Sequence, residues 1–189
     1  MNPSRSSDNC AGPRTEPWMR GTHTDLDVIR RAVIHALELA SEDIKRWCAP
    51  LTEGQLEQPP ALGVASVGYH LRHLARSTDR LLTYAEDGQL SPQQLDALAQ
   101  EGNPIGGSSP LQEVAEALSA ARKRVLAFHP SIYDRARAVG RARLPSTVGG
   151  LLIHLAEHTQ RHAGQAVTTA RVVTAQVAEN AAGQAALPA

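Results

Sequence analysis

Five of the eight histidines fall in two short segments, SVGYHLRHLARS (66–77) and HLAEHTQRHAGQ (154–165). The second segment carries His154, His158 and His162, each four residues from the next. On a helix with about 100° between residues, Leu151, Leu155, Ala166, Thr169 and Val173 fall on one stripe. His158 and His162 lie within that stripe and His154 at its edge. His158 and His162 stand one turn apart, about 6 Å along the axis, where two imidazoles can converge on one metal ion. His154 and His162 are two turns apart, too far for all three to ligate one ion comfortably. Two buried imidazoles without partners would cost free energy, because each neutral ring has a donor and an acceptor to satisfy. An HxxxH pair alone is weak evidence of a metal site, and an open site needs a third ligand from elsewhere. The first segment offers His70 and His73, both to one side of the Val67/Leu71/Leu74 stripe. His70 is nearer the centre and is slightly favoured by periodicity. A bundle helix touches two neighbours, so its buried face is wide enough to include His73 as well.

Four long helical patterns must carry these residues. The first runs from about residue 24 to 47, with Thr24 as cap, Asp25 and Asp27 in the first turn, and Leu26, Ile29, Val33, Leu37 and Ile44 at helical spacing. The second spans about 66 to 86. A short helix opened by Ser91 and Pro92 follows it. The third spans about 110 to 128. The fourth begins after LPST, with Ser146 or Thr147 as cap, and reaches about 177. No strand pattern of comparable length competes. The fold class is therefore all-α, a four-helix bundle with long connections between its helices. The bundle is expected over residues 23–178, after a disordered leader at 1–22 and before a flexible tail at 179–189.

Composition narrows the chemistry. Nineteen Lys and Arg balance nineteen Asp and Glu over 189 residues, and aromatic residues make up 3%. Neither a basic footprint nor a base-stacking platform for nucleic acid is present. The two cysteines, Cys10 and Cys48, form no disulfide framework and suit a reducing cytoplasm. No apolar run approaches the roughly 20 residues of a membrane helix, and the N-terminus lacks a secretory signal's apolar region. The expectation is a cytoplasmic protein that acts on a small molecule. GNPIGGS matches no dinucleotide fingerprint, and the basic run YDRARAVGRAR (133–143) reads as a solvated loop.

Together the two histidine segments resemble the DinB-like (DinB/YfiT) superfamily of metal-binding four-helix bundles, over roughly residues 25 to 175. In that family a histidine in an HLA or HIA sequence on the second helix joins an HxxxH pair on the fourth, commonly followed by Gly-Gln. The resemblance places His73 at the HLA position and His158 and His162 at the pair, with Gly164-Gln165 after it. Its register is fixed by Ser66-Val67-Gly68 upstream and Leu74-Ala75 downstream. His70 stands where the family usually has an apolar residue, so here the resemblance and the helical wheel disagree.

Three neutral imidazoles suit Zn²⁺, Ni²⁺, Fe²⁺ or Mn²⁺, and three protein ligands leave a position for water or substrate. Such an ion lowers the pKa of a bound water or thiol. The resemblance implies a metal-dependent enzyme, a hydrolase or an S-transferase using a low-molecular-weight thiol such as bacillithiol or mycothiol. It also makes a homodimer plausible. The alternative is a non-catalytic metal-binding or dimerisation module in stress response. No residue is singled out as catalytic. Gln165, His70, Arg80, Tyr84 and His154 are candidates for a supporting or pocket role. Snorkelling or half-buried placement is the simpler reading of Arg80 and Tyr84, and a surface position that of His154. Arg76 and Asp79 read as exposed charges, and His23, His35 and His129 receive no functional assignment.

Overall fold

The structure is a computed structural model that describes residues 15–103 and 107–185. Helix α1 (Val28–Trp47) starts one turn later than its pattern suggests. Asp27, rather than Thr24, caps it, because the Asp27 carboxylate accepts from the Ile29 and Arg30 amides and also from the Tyr133 hydroxyl at 2.8 Å. The short α2 (Glu53–Glu57) opens with a capping box between Thr52 and Gln55. Helix α3 (Val67–Ala85) is capped by the Ser66 hydroxyl on the Tyr69 amide. Helix α4 (Pro92–Ala99) has Pro92 in its first turn and a Ser91/Gln94 capping box. Helix α5 is Pro110–Ala127.

The basic run that reads as a loop instead carries β1 (Ala136–Val139), which pairs in an antiparallel hairpin with β2 (Leu144–Thr147) just beyond it. Gly140 in the left-handed region turns it. Its strands have four residues each and no apolar alternation, so periodicity could not find them. Helix α6 (Val148–Ala185) follows β2 directly, with Thr147 Oγ1 accepting from the Gly150 amide at 3.0 Å.

Long helices α1, α3, α5 and α6 form the bundle. Helix α3 packs against α5 and α6, and so does α1, which sets α1 diagonal to α3. Their apolar stripes meet in one core that includes Val33, Ile34, Leu37, Leu71, Leu74, Val114, Leu118, Leu152 and Leu155. Residues 1–14 of the expected leader lie outside the described residues. Its last part forms a 3-10 turn, Pro17–Met19, packed on α1, with Arg20 paired to Glu42 at 2.6 Å. Helix α6 continues through the region expected as tail as far as Ala185. Among the described residues no helix is long and apolar enough to cross a membrane.

Candidate metal centre

The seam between α3 and α6 brings His73, His158 and His162 together. One ring nitrogen from each lies within 4.8 Å of the other two. His73 Nε2 and His158 Nε2 are 3.2 Å apart. The ring centroids of His162 lie 4.2 Å from His73 and 4.4 Å from His158.

The outer nitrogens decide what the inner ones can do. Ser77 has one hydroxyl proton and gives it to the His73 carbonyl at 2.5 Å. At His158 Nδ1, 3.2 Å away, the Ser77 oxygen must therefore accept. His73 Nδ1 faces Glu101 Oε1 at 3.2 Å, off the linear hydrogen-bond direction. An ionised carboxylate only accepts, so here too Nδ1 carries the proton. With both rings neutral and protonated on Nδ1, the two Nε2 lone pairs face each other. Two ligands at about 2.0–2.1 Å from one tetrahedral zinc ion stand about 3.3 Å apart, close to the observed separation. His162 Nδ1 lies 3.5 Å from His70 Nδ1, which leaves its Nε2 free.

Electrostatics keep the pair on α6 neutral. Burial, then the neighbouring His73, push His158 down to about 4. Burial, then His73 and His158, push His162 down to about 3. Burial also lowers His70, with a smaller effect from His73. Neutral imidazole is the form that binds a metal. Burial by itself would raise Glu101, but the His73 contact and the Arg80 charge outweigh it and hold the carboxyl below its ordinary value.

Glu101 has no sequence signal, since it sits in a loop 28 residues beyond His73. Three arginines on α3 fix it. Arg80 Nη2 binds Glu101 Oε2 at 2.9 Å. Arg76 donates to the Gln100 and Asn103 carbonyls at 2.9 and 2.7 Å and pairs with Glu113 at 2.7 Å. Arg72, 1% exposed, donates to the Gly102 carbonyl at 2.8 Å and pairs with Glu57. The expectation that Arg76 is an exposed charge is thus corrected: it is 7% exposed, because it satisfies loop carbonyls across the site. Two glycines make room. A Cβ on Gly68 would stand 2.7 Å from the Glu57 carboxylate. Gly102 adopts φ +86, and a Cβ there would stand 2.3 Å from the Tyr69 ring, which stacks on His73.

The other candidates divide. His70 is buried beside His162, and Arg80 reaches the site through Glu101. Tyr84 does not line the mouth: eleven residues beyond His73, about 16 Å along the helix, it packs against the hydrophobic core. His154 is 45% exposed on its side chain and faces Glu157 at 3.6 Å. Gln165 is exposed. His23 and His35, unassigned from sequence, come together with Glu38 at the start of the bundle. Cys48 is buried and its thiol is pushed up to about 12, chiefly by burial, which leaves it unreactive.

Residues 36–166 match the family model of the DinB superfamily. A conserved protein of Enterococcus faecalis has a solved structure that aligns at TM-score 0.59 and 19% identity, over 79% of this chain and 99% of that one. YfiT from Bacillus subtilis, described as a probable metal-dependent hydrolase with an unusual four-helix bundle topology, aligns at TM-score 0.56 and 16% identity, over 75% of this chain and 86% of that one. No curated protein matches the chain.

Proposed function

The chain belongs to the DinB superfamily, and from that premise we propose that it is a metal-dependent enzyme whose three-histidine centre activates water for hydrolysis of a small molecule. The observation that carries this reading is the convergence of three imidazoles, with the Nε2 atoms of His73 and His158 3.2 Å apart and His162 beside them. A divalent ion between the two Nε2 atoms would accept both lone pairs. His73, His158 and His162 would hold the ion. Such an ion, when bound, supplies a lowered pKa to a water or a thiol held against it.

The chain's own residues do the rest. Glu101 faces the outer nitrogen of His73 and Ser77 that of His158, where partners of metal-bound histidines commonly sit. His70 backs His162. Three neutral ligands leave the full charge of the ion available to polarise what binds there, and a fourth position open to it. The description of YfiT as a probable metal-dependent hydrolase favours water as the nucleophile. Thiol-dependent S-transfer uses the same open position and is the second reaction to assay.

Elemental analysis of protein made without a chelator or a histidine tag tests the centre. Wild type is expected to carry a first-row divalent metal at this site. His158→Ala should lose it, whereas His129→Ala, at an exposed position, should keep it. Equal metal retention in the two variants would remove the ligand assignment. Metal-dependent turnover of ester, amide or thiol-conjugate panels then separates hydrolase from transferase.

A further inference from the structure

We propose that His23, His35 and Glu38 form a second divalent-cation site, which fastens the segment before α1 onto that helix. One donor atom from each of the three lies within 4.8 Å of the other two, as in the α3–α6 centre. His23 and His35 precede the residues that match the family model, and Glu38 lies within them. Two imidazoles and one carboxylate form a donor set that zinc accepts with a fourth position for water.

Three observations support a cation there. Glu38 already holds positive charge: the Arg122 guanidinium sits on its Oε1 at 2.8 Å, and His23 Nε2 donates to the same oxygen at 2.8 Å. An ion would take that place. Arg122 is 39% exposed on its side chain, so its head can turn into solvent, and the neutral His23 ring can shift its proton to Nδ1. His23 also has φ 58, a left-handed backbone that few residues other than Gly, Asn, Asp and His adopt, and its ring lies beside that of His35, centroids 5.5 Å apart. Finally, His35 lines an open groove of about 480 Å³ along α1 with Thr22, Trp18 and Gln160, through which an ion and its water can enter. His35 Nε2 makes a single contact of 3.2 Å with the Thr22 hydroxyl, a weak partner for a ring 9% exposed.

The experiment is zinc binding to metal-stripped, untagged protein, read as stoichiometry and affinity, with trypsin cleavage after Arg20 as the local readout. Wild type should bind two equivalents. Glu38→Gln and His23→Asn should each bind one, or bind the second more than about tenfold more weakly. Asn is chosen because it tolerates the left-handed backbone. Zinc should slow cleavage at Arg20 in wild type and in His158→Ala but not in Glu38→Gln. His158→Ala reports separately on the α3–α6 centre, so failure of one site does not hide the other. The proposal is overturned if Glu38→Gln and His23→Asn bind as many equivalents as wild type with unchanged affinities, or if zinc leaves cleavage at Arg20 unchanged.

Discussion

Replacing Glu101 by Gln tests whether a loop carboxylate sets the metal affinity of the α3–α6 centre. In the native arrangement Oε1 faces His73 Nδ1 at 3.2 Å and Oε2 accepts from Arg80 at 2.9 Å. Both neighbours are donors. An amide of the same shape offers one acceptor and one NH₂ group, so one neighbour must face a donor. Arg80 carries a permanent charge and is 11% exposed on its side chain, so it keeps the acceptor. His73 then loses the partner that holds its proton on Nδ1. Loss of such a partner weakens metal binding about 10- to 100-fold, or about 1.4–2.7 kcal/mol. The fold should lose less, about 1 kcal/mol, since the bundle core is untouched. The assay is competition for Zn²⁺ against a chromophoric chelator at pH 7.5. Glu86→Gln serves as control, because it cuts the Arg124 pair at the far end of α3 without touching a histidine. Affinity of Glu101→Gln within twofold of wild type would refute the reasoning, and equal weakening in the control would show a general effect of lost charge.

Other perturbations probe the same construction. In metal-stripped protein His158 and His162 titrate at about 4 and about 3, against about 6.5 when unfolded. Stability is therefore complete above about pH 6.5 and falls as the pH drops toward 4, because the unfolded chain takes up the protons first. Urea unfolding at pH 7 and pH 5 should differ by at most about 3–4 kcal/mol, less as solvent screens these half-buried rings, and the difference should shrink in His158→Ala/His162→Ala. Gly102→Ala forces a side chain into φ +86 and against Tyr69. It should cost about 2 kcal/mol or more in urea unfolding and also weaken zinc binding, while an unchanged midpoint would mean that the loop moves freely. Glu57→Gln leaves the Arg72 guanidinium, 1% exposed, with the Gly102 carbonyl as its remaining strong partner. A loss of about 1–3 kcal/mol is expected, reduced from a fully buried pair because Glu57 is 43% exposed on its side chain, and Arg72→Met should cost less than Glu57→Gln. His154→Ala should leave zinc affinity within twofold of wild type, and a tenfold loss would move His154 into the centre.

The helix pattern of this sequence was readable because each long helix buries a stripe, and a stripe leaves a period. The metal centre was only half readable for the same reason. A wheel ranks residues by closeness to the buried face, and on α3 it prefers His70, which is indeed the more buried ring. A site open to solvent cannot sit at the middle of that face. His73 stands at the seam with α6, 20% exposed on its side chain, and only its resemblance to the HLA motif singled it out. The arginines show the opposite failure. Arg76 carries charge and so reads as exposed, yet it and Arg72 are both buried, because the carbonyls of residues 100, 102 and 103 need donors there. Nothing periodic links those carbonyls to α3. A signal did exist for α2, in the Thr52-x-x-Gln55 capping box, and α2 supplies Glu57 to Arg72. Following that pair leads to Gly102, then to Glu101, then to His73. The centre is thus set by a chain of polar contacts that crosses three segments. That is why conservative changes at Glu57 or Gly102, neither of them a ligand, are expected to reach the metal.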